Sequence, residues 1–206
     1  MKRLAILGAS GHGKVVADTA GVCGWTEILF FDDAWPSLTS NGVWDVVGTG
    51  QDFFENAHEF DGVVVAIGNN AIRQAKLAAL IQQGATLATL IHPLAYVSRY
   101  ANVGAGSVVF AGAVLNAGAS VGLGGILNTG CSVDHDCLLA DSVHISPGAR
   151  LAGGVTIGQC SWVGIGACVK QLISIGANVV VGAGAAVVSD VAEGMTVVGV
   201  PARALE

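Results

Sequence analysis

The chain has 206 residues, of which 52% are apolar and only 12% charged, a balance opposite to that of a disordered solvating chain. A net charge of −6, with nine basic residues spread over the whole length, excludes the electrostatic footprint of a nucleic-acid binder. Mean hydropathy is +0.65, yet Gly, Asn, Ser or Asp breaks every apolar stretch well short of the ~18 residues a membrane-spanning helix needs. The opening Met1–Gly8 runs directly into a glycine-rich turn and does not read as a leader peptide. A cytoplasmic protein without membrane insertion is therefore expected.

In chain order, Leu4–Leu7 reads as a short apolar strand, followed by the turn Gly8-Ala9-Ser10-Gly11-His12-Gly13-Lys14. A helix is expected from about Val15 to Val22, then a strand Ile28–Phe31 ending at Asp32-Asp33. The stretch from Ala34 to Asp61 is weakly patterned and stays unassigned. A strand Val63–Ile67 follows, ending at Gly68-Asn69-Asn70, and then a helix from about Ala71 to Gln83. Strands alternating with helices predict a small Rossmann-like parallel α/β sheet over residues 1–88. A glycine turn between strand and helix presents backbone N–H groups to phosphate. The spacing Gly8-x-x-Gly11-x-Gly13 departs from the dinucleotide fingerprint, although Asp32 stands where a ribose acid would. A mononucleotide-type ligand suits so short a domain better than NAD, and a purely structural turn is the third reading.

From Ile91 the character changes. Stepping by six meets Ile91, Val97, Val103, Val109, Leu115, Val121, Leu127, Val133, Leu139, Ile145, Leu151, Ile157, Val163, Val169, Ile175, Val181 and Val187 without a gap. A period of six fits neither a helix nor an alternating strand. It fits a coil of short flat strands joined by turns, with one aliphatic residue pointing inward on each side. Small residues recur four places after each aliphatic one, and glycine often follows it directly, as at Gly104, Gly122, Gly158, Gly164, Gly176 and Gly182. Residues 89–206 thus read as an all-β parallel β-helix. The five cysteines are odd in number and form no C-x-x-C pair, which argues against a disulfide framework or a thiolate zinc site. Cys131 and Cys137 fall on small inward positions and read as fillers.

Charge is scarce in this half: Arg99, Asp134, Asp136, Asp141, Arg150, Lys170 and Asp190 are the charged residues between 91 and 192. Two of them flank His135 in Val133-Asp134-His135-Asp136-Cys137, and His144 follows in Val143-His144-Ile145-Ser146-Pro147-Gly148. A carboxylate beside an imidazole fixes its tautomer and stabilises the imidazolium formed when it takes a proton. That is the arrangement of a general base for an attacking amine or hydroxyl. A solvated turn histidine and a metal ligand are the competing readings. Trimeric β-helix carbonic anhydrases bind zinc through three histidines, but His135 and His144 are half a coil apart and His92 lies at the domain junction, so no metal is expected.

The six-residue period resembles the hexapeptide-repeat family, whose coils are left-handed and triangular and whose enzymes pack three prisms into a homotrimer. The ending Val197-Val198-Gly199-Val200-Pro201-Ala202-Arg203 resembles that family's typical C-terminus. The glycine loop, Phe31-Asp32-Asp33, Ile67-Gly68-Asn69-Asn70-x-Ile72-Arg73, Leu90-Ile91-His92-Pro93, Asp134–Cys137 and Val143–Ala149 resemble, in order, the bacterial nucleotide-aminosugar acetyltransferases. That resemblance implies acetyl transfer from acetyl-CoA to the 4-amino group of a nucleotide-linked 4-amino-4,6-dideoxy sugar. The UDP-linked sugar of bacillosamine synthesis is implied first, with GDP-perosamine N-acetylation and sialic acid O-acetylation as alternatives. A nucleotide-sugar-binding scaffold trimer is the non-enzymatic alternative. The resemblance makes His135 the base and Asp136 its partner, and places Ser10, Gly11, His12, Asp32, Asp33 and Gly68 on the nucleotide sugar. It places His144, Gly153, Ile165 and Gly182 along acetyl-CoA, in a groove between two prisms. Lys170 and Arg203 would meet the coenzyme's phosphates or stand as ordinary surface charges.

Overall fold

The computed structural model describes residues 2–205. The chain divides into two compact units, Met1–His92 and Pro93–Glu206, against an expected change at 88/89.

The first unit is built on a sheet of order β3-β4-β2-β1-β5, with β1 at Arg3–Leu7, β2 at Glu27–Phe31, β3 at Ser40–Asn41, β4 at Trp44–Gly48 and β5 at Gly62–Val65. All pairings are parallel except the β3–β4 hairpin. The central strands run side by side with Ile6 opposite both Phe30 and Val64, and these side chains are fully buried. Helix α1 (Gly11–Val22) starts four residues earlier than the sequence suggests, because the glycine loop itself supplies the first helical turn. Gly13 makes this possible: a Cβ there would strike the Gly8 carbonyl oxygen and lie 3.0 Å from the Phe30 ring. Gly8 has φ +106°, and a Cβ there would meet the Ala66 carbonyl oxygen at 2.8 Å, so only glycine lets the first loop lie against the end of β5.

The unassigned stretch holds the hairpin, a short helix α2 (Gly50–Asn56) and a 3₁₀ turn at Ala57–Glu59. Helix α2 is fixed by a capping box, in which Thr49 accepts from the Asp52 backbone N–H and Asp52 accepts from that of Thr49. Helix α3 (Asn70–Gln82) is capped by Asn69, whose side chain accepts from the Ile72 N–H at 3.0 Å.

The second unit is a three-sided left-handed parallel β-helix. As far as Ala186–Val187 its strands are two residues long and successive strands fall on three different sheets in turn. Each pairs with the strand one coil on, so that Val97, Leu115, Val133, Leu151, Val169 and Val187 form one inward ladder. Val103, Val121, Leu139, Ile157 and Ile175 form the second. Val109, Leu127, Ile145, Val163, Val181 and Val197 form the third. From Val109 to Val187 every residue of the six-step series is buried, whereas Val97 and Val103 are only partly covered. The last coil is shorter than the others, since Val181 pairs with Val197 rather than with a residue eighteen on. The hexad period ends there, and Arg203–Ala204 turns back antiparallel onto Thr196–Val198.

Coils this close leave no room for side chains beside the inward ladder. A Cβ on Gly158 would lie 2.6 Å from the carbonyl carbon of Gly176 in the next coil. Among the described residues no helix is long and apolar enough to cross a membrane.

Candidate active site

The turn Asp134-His135-Asp136-Cys137 forms one corner of the prism, after the strand Ser132–Val133. Its backbone is held from both sides: Asp136 N–H donates to Ala117 O at 3.1 Å, and Gly154 N–H donates to His135 O at 2.9 Å. Asp136 stands at a left-handed turn position, φ +59°, which Gly118 and Gly154 occupy in the coils on either side. An aspartate tolerates this conformation better than most L-residues. From there its Oδ2 lies 2.8 Å from His135 Nδ1. Asp134 serves differently. Its Oδ1 accepts from the His135 backbone N–H at 2.8 Å and from Asn116 Nδ2 at 2.9 Å, so it clamps the main chain while Asp136 holds the ring.

These contacts set the electrostatics. The Asp136 hydrogen bond raises the His135 pKa above its usual value; desolvation opposes it, and the charges of Asp134 and then Asp136 add to the rise. The Asp134 carboxyl is lowered, chiefly by the His135 N–H and then by Asn116. With Nδ1 tied to a carboxylate, Nε2 is the nitrogen left to exchange a proton. It lies directly over Gly153, where a Cβ would land on it. A cavity of about 270 Å³, lined by His135, Asp136, Gly153, Gly154, Gln171 and Leu172, opens at this point.

The remaining acetyl-CoA candidates lie elsewhere on the prism. His144 points outward from the strand His144–Ile145 and stacks on Trp162, ring centroids 5.6 Å apart and planes within 6°. Asn128 Nδ2 stands 3.3 Å from His144 Nε2, and Trp162 Nε1 donates to Ser146 Oγ at 2.6 Å. Asn128 and Ser146 belong to the turns that follow this sheet, and Ile165 and Gly182 occupy the same corner in later coils. Ile165 is exposed, and Gly182 packs so close to Val198 that a Cβ would meet it at 2.7 Å. Gly153 therefore sits with His135, while His144, Ile165 and Gly182 gather about another corner. Lys170 lies on the His135 corner one coil past Ala152, and Arg203 lines a 420 Å³ cavity at the last coil with Asp190 and Met195.

In the first unit, Ser10, Gly11, His12, Asp32, Asp33 and Gly68 come together at the carboxyl ends of β1, β2 and β5, where open α/β sheets bind ligands. Ser10 and Gly11 are exposed at the start of α1. Asp32 is partly engaged in bracing the loop: Oδ2 accepts from Ala9 N–H at 2.8 Å and Oδ1 from Ala34 N–H at 3.0 Å. Asp33 accepts from Gly50 N–H at 2.8 Å and so steadies the start of α2. His12 is held neutral, its pKa lowered to about 4 by burial and then by the charge of Arg73.

Arg73 is a residue to which the sequence reading gave no role. It is fully buried and donates to Ile67 O at 3.0 Å, Gly68 O at 3.4 Å and Asn70 Oδ1 at 2.8 Å, fixing the second loop from beneath. Asn116, Gln171 and Leu172 are likewise residues of the histidine corner that sequence reasoning passed over. Among the described residues no group of three or more His, Cys, Asp or Glu could hold a metal ion.

Residues 3–80 match the family model described as PglD N-terminal domain. The chain is 30% identical over 217 residues, covering 100% of itself and 97% of the relative, to GDP-perosamine N-acetyltransferase of Escherichia coli O157:H7. It is 36% identical over 115 residues, 54% of its own length and 52% of the relative's, to UDP-N-acetylbacillosamine N-acetyltransferase of Bacillus subtilis (strain 168). Among solved structures, the acetyltransferase domain of PglB from Neisseria gonorrhoeae FA1090 in complex with acetyl coenzyme A superposes with a TM-score of 0.92 at 44% identity, covering 99% of each chain. A histidine-to-asparagine mutant of perosamine N-acetyltransferase from Caulobacter crescentus, in complex with CoA and GDP-perosamine, gives 0.94 at 35% identity, covering 100% of this chain and 98% of that one. With full-length identity to such a relative and the same two-part architecture, the chain belongs to the hexapeptide-repeat family of sugar N-acetyltransferases.

Proposed function

We propose that the chain transfers acetyl from acetyl-CoA to the 4-amino group of a nucleotide-linked 4-amino-4,6-dideoxy sugar, with UDP-4-amino-4,6-dideoxy-N-acetylglucosamine as the acceptor. The observation that carries this reading is the His135–Asp136 pair, bonded at 2.8 Å, with Nε2 standing over Gly153 at the mouth of a cavity. The UDP-sugar is supported by the 36% identity to the bacillosamine relative. GDP-perosamine is the second reading, favoured by a relative that matches over the whole chain.

In the reaction the amine nitrogen attacks the thioester carbonyl carbon. A C–N bond forms, the C–S bond breaks, and the amine proton passes to His135 Nε2 and from there to the departing thiolate, giving the amide and free CoA. Asp136 stabilises the imidazolium formed on the way. A base placed in this way contributes roughly 10²–10⁴-fold. No acyl-enzyme is required. Cys131 and Cys137 are buried, and burial pushes both thiols up, Cys131 to about 12, so neither serves as a nucleophile.

The first unit holds the nucleotide, with the diphosphate at the start of α1 and Asp32, Asp33 and Gly68 around it. His144, Ile165 and Gly182 take the coenzyme. These three lie on a different corner of the prism from His135, and this separation supports a homotrimer in which each active site joins the histidine corner of one chain to the His144 corner of the next. The reaction is placed in the cytoplasm, where both substrates are available.

The test is thiol release from acetyl-CoA with the UDP-4-amino sugar, GDP-perosamine and CMP-sialic acid as separate acceptors, with His135→Ala in parallel. Release with the UDP-sugar alone, lost by about 10²-fold or more in the variant, is expected. Release with GDP-perosamine alone moves the substrate and keeps the mechanism, whereas full activity of His135→Ala refutes the assignment of the base. Absence of acetyl-CoA binding refutes the transferase reading and leaves a nucleotide-sugar scaffold.

A further inference from the structure

Leu172 combines two features the fold does not require. It occupies the left-handed turn position, φ +61°, that Gly118 and Gly154 fill in earlier coils of the same corner. The Cβ of an L-residue is crowded there, and leucine, unlike Asp136, has no polar group to bond the local backbone in return. Nor does burial offset the strain, because Leu172 is 77% exposed. A strained residue whose side chain the prism does not need points to a role at a site.

Its surroundings say which. Leu172 N–H donates to Gly153 O at 3.0 Å, and its Cδ2 lies 2.8 Å from where a Cβ of Gly154 would stand. The leucine thus leans back over the same pair of glycines that His135 leans over from the other side. Those glycines have Cα atoms about 3.8 Å apart, and coils are spaced by about 4.8 Å. The imidazole and the isobutyl group therefore reach the Gly153–Gly154 shelf from the coils before and after it. The same 270 Å³ cavity is lined by both.

We propose that Leu172 sets the acyl-chain length of the transfer, closing the side of the acyl pocket opposite His135 and so restricting the donor to acetyl. This rests on the reading of His135 as the base. The attacking nitrogen must lie about 3 Å from Nε2, and the carbonyl carbon bonds to that nitrogen, so the acyl group enters this cavity, with its methyl turned to the Gly153–Gly154 shelf and Leu172. A longer acyl chain extends from that shelf towards Leu172, which lines the same cavity. A hydrophobic wall of this kind discriminates a single methylene by about 10- to 200-fold.

The experiment compares acetyl-, propionyl- and butyryl-CoA in thiol-release assays with the acceptor that the wild-type protein uses. Leu172→Ala and Leu172→Gly are run beside wild type, with gel filtration to follow assembly. Glycine keeps the turn conformation unstrained, so at least one variant folds. The expected result is a rise of at least ten-fold in the propionyl-to-acetyl ratio of kcat/KM in both variants, with assembly unchanged and butyryl transfer newly measurable in Leu172→Gly. A ratio within two-fold of wild type in both variants overturns the proposal, as does a wild type that uses propionyl-CoA as well as acetyl-CoA. Dissociation of the assembly with an unchanged ratio would make Leu172 an interface residue and also overturn it. Failure of wild type to release thiol with any acceptor removes the transferase reading itself, and this proposal with it.

Discussion

Gly153→Ala tests the geometry of the proposed base without replacing it. The backbone of Gly153 lies outside the left-handed region, so alanine fits the turn, but its Cβ would land on Nε2 and Cε1 of His135 and lie 3.0 Å from Cδ2. Comfortable carbon contacts are about 3.5–4.0 Å, so the ring must withdraw by about 1 Å or more. It cannot do so by a simple swing, because Nδ1 is tied to Asp136 at 2.8 Å. A displacement of about 1 Å at a reacting group costs on the order of 10²-fold in rate, or roughly 2.7 kcal/mol of barrier. The fold should not suffer, since replacing glycine at a compatible φ stabilises by about 0.4–1 kcal/mol through the unfolded chain. The expected outcome in paired thiol-release and thermal-melting assays is thus a kcat reduced about 100-fold at an unchanged or slightly higher Tm. A kcat within three-fold of wild type at unchanged Tm would refute the placement of Nε2 as the working nitrogen. A large loss of Tm would show that the backbone, not the imidazole, took up the clash.

The Asp136 bond is the main cause of the raised His135 pKa, and a base works deprotonated, so Asp136→Asn should move the acid limb of the kcat/KM–pH profile to lower pH while depressing the plateau. An unmoved limb would contradict the pairing. His12 is neutral in the folded state, with its pKa lowered from 6.5 to about 4, so the unfolded chain binds the extra proton in that window. Stability should be full above pH 6.5 and fall as pH drops towards 4, by up to about 3 kcal/mol; urea melts of His12→Gln should lack this slope. Gly158→Ala would drive a Cβ into the Gly176 and Ala177 backbone of the next coil and should cost about 3 kcal/mol in chemical denaturation. Refolding His135→Ala chains with His144→Ala chains in equal amounts should restore about a quarter of wild-type activity if each site joins two subunits of a symmetric trimer, and none if each chain carries its own site.

The β-helix was legible because its rule is local. Each coil needs one aliphatic residue on each side, and Val109 to Val187 supply it at every sixth place with all of them buried. The register could not reveal the shortened last coil, since Val197 continues the ladder two residues early. In the first unit, the segment from Ala34 to Asp61 was unreadable for a physical reason. Strand β4 is buried only at Val46 and Gly48, β3 is two residues long, and α2 spans seven residues, too few for either period to declare itself. One signal was present: Thr49-x-x-Asp52 is a capping-box pattern, and the structure uses it as such. The early start of α1 was hidden because glycines argue against helix by propensity, whereas here Gly13 is required by its contact with Gly8.

The candidate site obeys a different period from the core. Hexads describe what faces inward, but side chains that meet one another on a corner are eighteen residues apart, one coil above the next. Read in that step, Asn116 precedes Asp134, which it hydrogen-bonds. Gly153 follows His135, whose ring it accommodates, and Gly118, Asp136, Gly154 and Leu172 share a single turn position. Scarcity of charge was enough to single out His135, because an ionisable residue in an uncharged repeat stands out at any spacing. Scarcity cannot find Leu172, since leucine is common in this half and only its place in the column is unusual. Arg73 escaped for the opposite reason: it is a charge inside a core, and nothing in a one-dimensional pattern says that the carbonyls of Ile67 and Gly68 turn inward to receive it. In a solenoid the inward rule fixes the fold, so residues that serve a site should be sought where a column departs from its own glycine or small-residue pattern. By that criterion the corner from Asn116 to Leu172 departs at Asp134, His135, Asp136 and Leu172 in close succession, and these four surround one cavity or hold the residues that do.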